Sequence, residues 1–153
     1  MKRTFVIGDI HGDMFHLTQL MTKLPPLGAR DTLVFLGDYL DRGPASAGVI
    51  EYVMSLPRKT AARVVALRGN HEDAWLRVLD QGWPEFVIPR TNGCLETLRS
   101  YKRQPAPQPD DAPEPQEFAE MLKGSFFPPH VVEWMRSLPY YYEDEMTRLT
   151  RPD

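Results

Sequence analysis

The chain has 153 residues, the length of one ordinary domain and too short for two. Its hydrophobic share of 42% and charged share of 25% are those of a globular protein in water, and a formal net charge of −3 gives no support to a nucleic-acid partner. One cysteine, Cys94, excludes an internal disulfide and favours a reducing compartment. Because no apolar run suits a signal peptide or membrane span, we expect one cytoplasmic domain over residues 1–153, without membrane contact.

Three short apolar runs, each followed by a glycine, predict buried β-strands. They lie at residues 4–7, 32–36 and 63–67 and precede Gly8, Gly37 and Gly69. Apolar residues at helical spacing predict helices between them and after the third, at residues 14–24, 49–54 and 72–80. This β-α-β-α-β order predicts an α/β fold with parallel strands, in which ligands gather at the carboxyl ends of the strands.

Beyond residue 80 the pattern is weaker. Short helices are indicated near residues 95–101, 118–122 and 131–138, and a run of three tyrosines at 140–142 suits the start of a strand or the rim of a pocket. Five prolines and no large apolar side chain within residues 104–117 predict a loop or semi-rigid spacer. A proline-rich ligand for a partner is the alternative.

Polar side chains follow all three predicted strands. Asp9 and His11 follow the first, Asp38 the second, and Asn70 and His71 the third, so all five should meet at one edge of the sheet. Residues two apart on an extended segment point the same way, so Asp9 and His11 can bind one ion. Mixed carboxylate, imidazole and amide ligands suit manganese, iron or zinc, and the second strand's carboxylate could bridge two such ions.

Each motif also has a purely structural explanation. Asp41 and Arg42 could form a surface ion pair, and the segment 70–72 could cap a helix. Glu72 and Asp73 are expected to favour the start of that helix through its dipole. Polar residues at the ends of three buried strands need a common reason, however, and this coincidence favours a functional site.

The three motifs together resemble the signature of calcineurin-like metallophosphoesterases. The endings Asp41-Arg42-Gly43 and Asn70-His71-Glu72 are most similar to the phosphoprotein phosphatase branch, which includes Ser/Thr protein phosphatases, bacteriophage lambda phosphatase and diadenosine tetraphosphate hydrolase. The similarity covers about residues 4–75. It implies the N-terminal half of a layered β-sandwich flanked by helices, with a mixed sheet, and two divalent metal ions.

The resemblance also implies roles for individual residues. His71 would protonate the leaving alkoxide, with Asp41 orienting it. Arg42, together with Asn70 and His71, would contact the phosphate, and Arg68 is a weaker phosphate candidate. The implied metal ligands are Asp9, His11 and Asp38 for the first ion, and Asp38 and Asn70 for part of the second.

The family pattern continues with two further metal histidines that this sequence does not contain. The remaining candidate, His130, has a setting that matches neither of them. We therefore expect a chain that is truncated at its C-terminus relative to the family. It should bind one metal tightly and a second weakly, turn over slowly or not at all in isolation, and leave some apolar surface exposed.

The function implied is hydrolysis of phosphomonoesters, in phosphorylated proteins or small phosphoesters, by metal-bound hydroxide. One alternative is a diadenosine polyphosphate hydrolase, which uses the same metals with different substrate loops. Another is a truncated, non-catalytic remnant that binds metal or phosphorylated partners.

Overall fold

The computed structural model describes residues 2–145 and 147–150, and its centre is a parallel sheet of three strands in the order β1-β2-β3. The strands are β1 (Thr4–Ile7), β2 (Thr32–Phe35) and β3 (Arg63–Ala66). Helix α1 (Met14–Lys23) joins the first two strands and α2 (Ser46–Ser55) the last two. The predicted β-α-β-α-β order is therefore confirmed.

The two faces of the sheet are covered differently. Alternate residues such as Leu33 and Phe35 face the helices and belong to the main hydrophobic core. On the other face, Val34 packs against Leu67 and Tyr142 in a small separate cluster. Val6, which pairs with Val34 across the strands, remains 45% exposed at the β1 edge.

The second half of the described chain is mainly helical. An aromatic cluster joins α3 to α5, because Trp75 of α3 and Tyr101 of α5 both contact Phe126 and Phe127. The helices are α3 (Asn70–Gln81), α4 (Pro84–Val87), α5 (Cys94–Tyr101), α6 (Pro115–Lys123) and α7 (Pro129–Ser137). Within the described ranges no helix has the length and apolar character that a bilayer crossing needs.

A small hairpin follows the helices and forms a second sheet. Strand β4 (Tyr141–Glu143), which begins in the tyrosine run predicted as a possible strand start, pairs antiparallel with β5 (Arg148–Thr150). The parallel and antiparallel pairings of the fold thus lie in two separate sheets. Tyr142 points from this hairpin onto Val34 of the main sheet, which is why that face is covered at β2 and β3.

The proline-rich loop ends at Glu114, three residues before the predicted limit at 117. Proline suits the first turn of a helix because it needs no hydrogen-bond partner there, so α6 begins at Pro115. The side chain of Glu117 accepts the backbone N–H of Glu114 at 2.9 Å and completes this start. Arg99 of α5 donates to Glu117 at 2.9 Å and to Asp111 at 3.0 Å, so the loop is tied to the core helices.

Candidate metal and phosphate site

The loops that follow β1 and β2 bring three potential metal ligands together. The backbone N–H groups of Ile10 and His11 both donate to the carbonyl oxygen of Asp38, at 3.0 and 2.8 Å. As a result, one donor atom each from Asp9, His11 and Asp38 lies within 4.8 Å of the other two. No other group of three or more metal-binding side chains occurs in the part of the chain that the structure describes.

The histidine of this group is oriented for binding. Its Nδ1 lies 2.9 Å from the carbonyl oxygen of Leu40. A carbonyl can only accept, so His11 Nδ1 carries the proton and Nε2 keeps its lone pair. Nε2 lies 4.0 Å from the Asp9 carboxylate and accepts from the Arg42 guanidinium at 2.9 Å. Such a backbone partner on the other ring nitrogen is typical of histidines that bind metals.

The third strand contributes Asn70 and His71 at the start of α3. With its amide nitrogen facing Asp38, Asn70 donates to Oδ2 of that carboxylate at 2.8 Å. The backbone N–H of His71 donates to Asp38 Oδ1 at 3.0 Å. Asp38 is therefore the residue that contacts the ends of all three strands, through its backbone carbonyl after β1 and through its carboxylate at the start of α3.

His71 and Asp41 form a buried pair beside this group. The His71 Nδ1 lies 2.6 Å from Asp41 Oδ2, and the two side chains are 3% and 0% exposed. Burial lowers the pKa of His71, but the hydrogen bond and charge of Asp41 raise it more, so its pKa lies above the ordinary value. Asp41 also accepts from Trp75 Nε1 at 3.0 Å and from the Thr97 hydroxyl at 2.5 Å.

Arg42 faces the two imidazoles rather than its neighbour in sequence. Its guanidinium donates to His11 Nε2 at 2.9 Å and lies 3.4 Å from His71 Nε2. The carboxylate of Asp41 is instead buried among His71, Trp75 and Thr97. The alternative of a surface ion pair between Asp41 and Arg42 is therefore wrong.

Backbone strain is concentrated at these residues. Of the five non-glycine residues with positive φ in the described ranges, four are site candidates, at φ 47°, 53°, 72° and 67° for His11, Asp38, Asp41 and Arg42. Each such conformation costs of order 1–3 kcal/mol and persists only where surrounding contacts hold it. This distribution is typical of a functional site.

Three buried side chains support the site without having been predicted to do so. Thr97 and Trp75 hold Asp41, and Glu72 accepts backbone N–H groups from the loops after β2 and β3. Glu72 stabilises the start of α3 as predicted, because its carboxylate accepts the backbone N–H of Gly69. The same buried carboxylate also accepts the backbone N–H of Asp38. The capping position of Glu72 was visible in the sequence, whereas no local motif marks Thr97, 56 residues away from Asp41.

Other candidate groups have structural roles. Arg68 donates to Asp73, to the Tyr140 hydroxyl and to the carbonyl oxygen of Arg136, so its guanidinium is held at β3's end by protein groups. His130 bonds to Glu51 on the exposed side of α2. Burial raises the pKa of the Cys94 thiol, which agrees with an inert cysteine.

The donor set fits a divalent metal ion. Carboxylate oxygens and an imidazole nitrogen with a defined lone pair match borderline ions such as Mn²⁺, Fe²⁺ and Zn²⁺. Asp9 is more than half exposed, which leaves its carboxylate open to a ligand. The exposed carboxylate of Asp9 gives an ion access from solvent to the buried Asp38.

Comparison with known proteins agrees with this geometry. The calcineurin-like phosphoesterase family model matches residues 2–151, and the chain belongs to that family. A symmetrical bis(5'-nucleosyl)-tetraphosphatase of Yersinia pestis is 37% identical over 117 residues, 71% of this chain and 38% of the relative. A putative serine/threonine-protein phosphatase of Caenorhabditis elegans is 43% identical over 70 residues, 44% of this chain and 18% of the relative.

The fold has a counterpart among solved structures. A putative diadenosine tetraphosphatase matches with a TM-score of 0.53 and 21% identity, over 90% of this chain and 43% of the other. At that identity the likeness concerns the fold alone. The chain spans less than half the length of each of these relatives.

Proposed function

We propose that this chain hydrolyses phosphoesters with the help of divalent metal ions at the carboxyl end of its sheet. The supporting observation is that donor atoms of Asp9, His11 and Asp38 lie within 4.8 Å of one another. Arg42 and His71 adjoin this group, and a cation, a guanidinium and an imidazole around one space match the charge of a phosphate ester.

Asp9, His11 and Asp38 would hold one ion, and Asp38 with Asn70 would hold part of a second. Manganese is our first choice, with iron and zinc as alternatives for the same donors. When bound, such ions activate a water molecule and neutralise charge on the transferred phosphoryl group. Because Asp38 and Asn70 offer only oxygen ligands, we expect the second ion to bind more weakly than the first.

The chain's own side chains would position the substrate and supply a proton. Arg42 presents a planar fork that matches two phosphate oxygens, and Asn70 adds a hydrogen-bonding amide. His71 would donate the proton on Nε2 to the leaving oxygen while Asp41 holds Nδ1 at 2.6 Å. Since Asp41 raises the pKa of His71, the imidazole stays protonated closer to neutral pH, as a general acid requires.

The substrate we propose first is a phosphomonoester, in a phosphorylated protein or a small molecule. Cleavage of diadenosine polyphosphates is a second candidate, favoured because similarity to the Yersinia tetraphosphatase extends over 71% of the chain. Parallel assays with a phosphopeptide and diadenosine tetraphosphate separate the two candidates. The buried single cysteine, Cys94, suits a reducing compartment, so we place this activity in the cytoplasm.

Hydrolysis of p-nitrophenyl phosphate with added Mn²⁺ tests the activity. We expect a slow, Mn²⁺-dependent rate that Asp38→Asn and His71→Asn remove, while His130→Asn, an exposed histidine outside the site, keeps it. A rate that persists without metal, or in both site variants, would contradict the proposal. Mn²⁺ binding without any rate would favour the non-catalytic metal-binding alternative.

A further inference from the structure

The side chain of Glu72 occupies a central position in the fold that the proposed chemistry does not use. It is fully buried on α3, and its carboxylate accepts three backbone N–H groups. Oε2 accepts from Gly69 at 2.8 Å and from Asp38 at 2.9 Å, and Oε1 accepts from Tyr39 at 2.8 Å. All three donors lie in loops, outside the helices and strands.

These bonds join the loop after β2 to the loop after β3. The two loops approach so closely that a Cβ on Gly69 would collide with the backbone nitrogen and the carboxylate of Asp38. Only glycine fits at this position, and the carboxylate of Glu72 fills the remaining polar space between the loops. The contact sets the distance between residues that follow two different strands.

The bonds also flank the Cα of Asp38 on both sides. Asp38 has a left-handed backbone at φ 53°, which costs free energy unless neighbouring contacts hold it. Glu72 binds the N–H of Asp38 and the N–H of the next residue, Tyr39, and so fixes both peptide planes around it. The direction in which the Asp38 carboxylate leaves the backbone follows from these planes.

We propose that Glu72 is a positioning residue that presents the Asp38 carboxylate to a divalent cation. The proposal rests on the proposed function, because the cation is the one assigned there to Asp38. A glutamine cannot replace the glutamate. Its amide nitrogen does not accept hydrogen bonds, so in either orientation at least one of the three backbone N–H groups would face another donor.

Titration of metal-free protein with Mn²⁺ by calorimetry measures this role directly. We expect Glu72→Gln to weaken Mn²⁺ binding by about 10–100-fold, the range for residues that orient metal ligands. Glu117→Gln is the matched control, because Glu117 is also buried and accepts a backbone N–H at the start of α6, away from the site. Its affinity should stay within about twofold of the wild type. Wild-type affinity in Glu72→Gln would overturn the proposal.

Amide hydrogen exchange of the wild-type, metal-free chain supplies a readout that needs no variant to fold. The N–H groups of Asp38, Tyr39 and Gly69 should exchange as slowly as those of β2, although they lie in loops. Fast exchange in a chain that binds Mn²⁺ would overturn the role of Glu72 alone. Slow exchange in a chain that binds no Mn²⁺ would overturn the metal assignment and, with it, the positioning role.

Discussion

The site has an open side after β1 and a closed side after β2 and β3. On the open side, Asp9 is 53% exposed, and its carboxylate lies 4.0 Å from His11 Nε2. On the closed side, Asp41 and His71 are buried and bonded to each other, and Asp41 accepts further bonds from Trp75 and Thr97. The open carboxylate is accessible to a ligand, whereas the closed pair is already hydrogen-bonded by protein groups. Binding and positioning are thus divided between two parts of one sheet edge.

Removing the centre of the closed side should have the largest effect on stability. Asp41→Ala leaves the donors of His71 and Trp75 without this acceptor in a buried space and removes the bond from Thr97. We expect a loss of about 3–5 kcal/mol in the free energy of unfolding of the metal-free chain, measured by urea denaturation. A loss below about 1 kcal/mol would mean that the closed side is not the saturated network described above.

A smaller loss should follow from Thr97→Val. The Thr97 hydroxyl donates to Asp41 Oδ1 at 2.5 Å and accepts the Asp41 backbone N–H at 2.9 Å, and valine can do neither. The expected cost is about 1–3 kcal/mol in the same urea experiment. Thr97→Ser keeps the hydroxyl and is the control, with a smaller expected loss. A loss in Thr97→Val no larger than that in Thr97→Ser would contradict the role of the hydroxyl, because valine keeps the methyl group that serine lacks.

The closed side should also raise the pKa of His71, because Asp41 lies next to its imidazole. In metal-free protein it should titrate above the ordinary value of 6.5, and in Asp41→Asn its pKa should fall. Because protonation is favoured in the folded state, the stabilisation is complete below the unfolded pKa and is lost as pH rises through the folded pKa. NMR titration of the His71 ring checks the shift. An unchanged pKa in Asp41→Asn would contradict the assigned cause.

The smallest effect on stability is expected on the open side. Asp9→Asn should change the free energy of unfolding of the metal-free chain by no more than about 0.5 kcal/mol, because the side chain is largely exposed. The same variant should weaken Mn²⁺ binding clearly in a calorimetric titration. Loss of stability without loss of affinity would reverse the roles assigned to the two sides.

The two proposed ions share Asp38 as a ligand but should bind with different affinities. We expect calorimetry with Mn²⁺ to resolve one tight site and one weaker site, since the second ion has only Asp38 and Asn70 among the assigned ligands. Two equally tight sites would show that other groups of the chain complete the second one.

The strands and the polar residues after them were predictable because each signal is local. An apolar run that stops at a glycine marks β1, β2 and β3, and parallel pairing then brings Asp9, Asp38 and Asn70 to one edge. The residues that hold the site side chains in place could not be predicted, because they are distant in the sequence. Thr97 reaches Asp41 from α5, and Glu72 reaches Asp38 and Tyr39 across 34 and 33 residues.

The end of the proline-rich loop could not be predicted from local sequence either. Its composition predicts a spacer through residue 117, but a proline at a helix start and a capping glutamate are equally compatible with the sequence. Arg99 decides the outcome by binding Glu117 from a different helix. Tertiary ion pairs of this kind leave no periodic pattern in the chain.

Anomalous X-ray scattering from crystals grown with Mn²⁺ locates a metal ion at the end of the sheet without reference to activity. We expect a strong peak within coordinating distance of Asp9, His11 and Asp38, which is lost in crystals of Asp38→Asn. A chain that crystallises in millimolar Mn²⁺ with no peak among these three side chains would contradict the metal assignment.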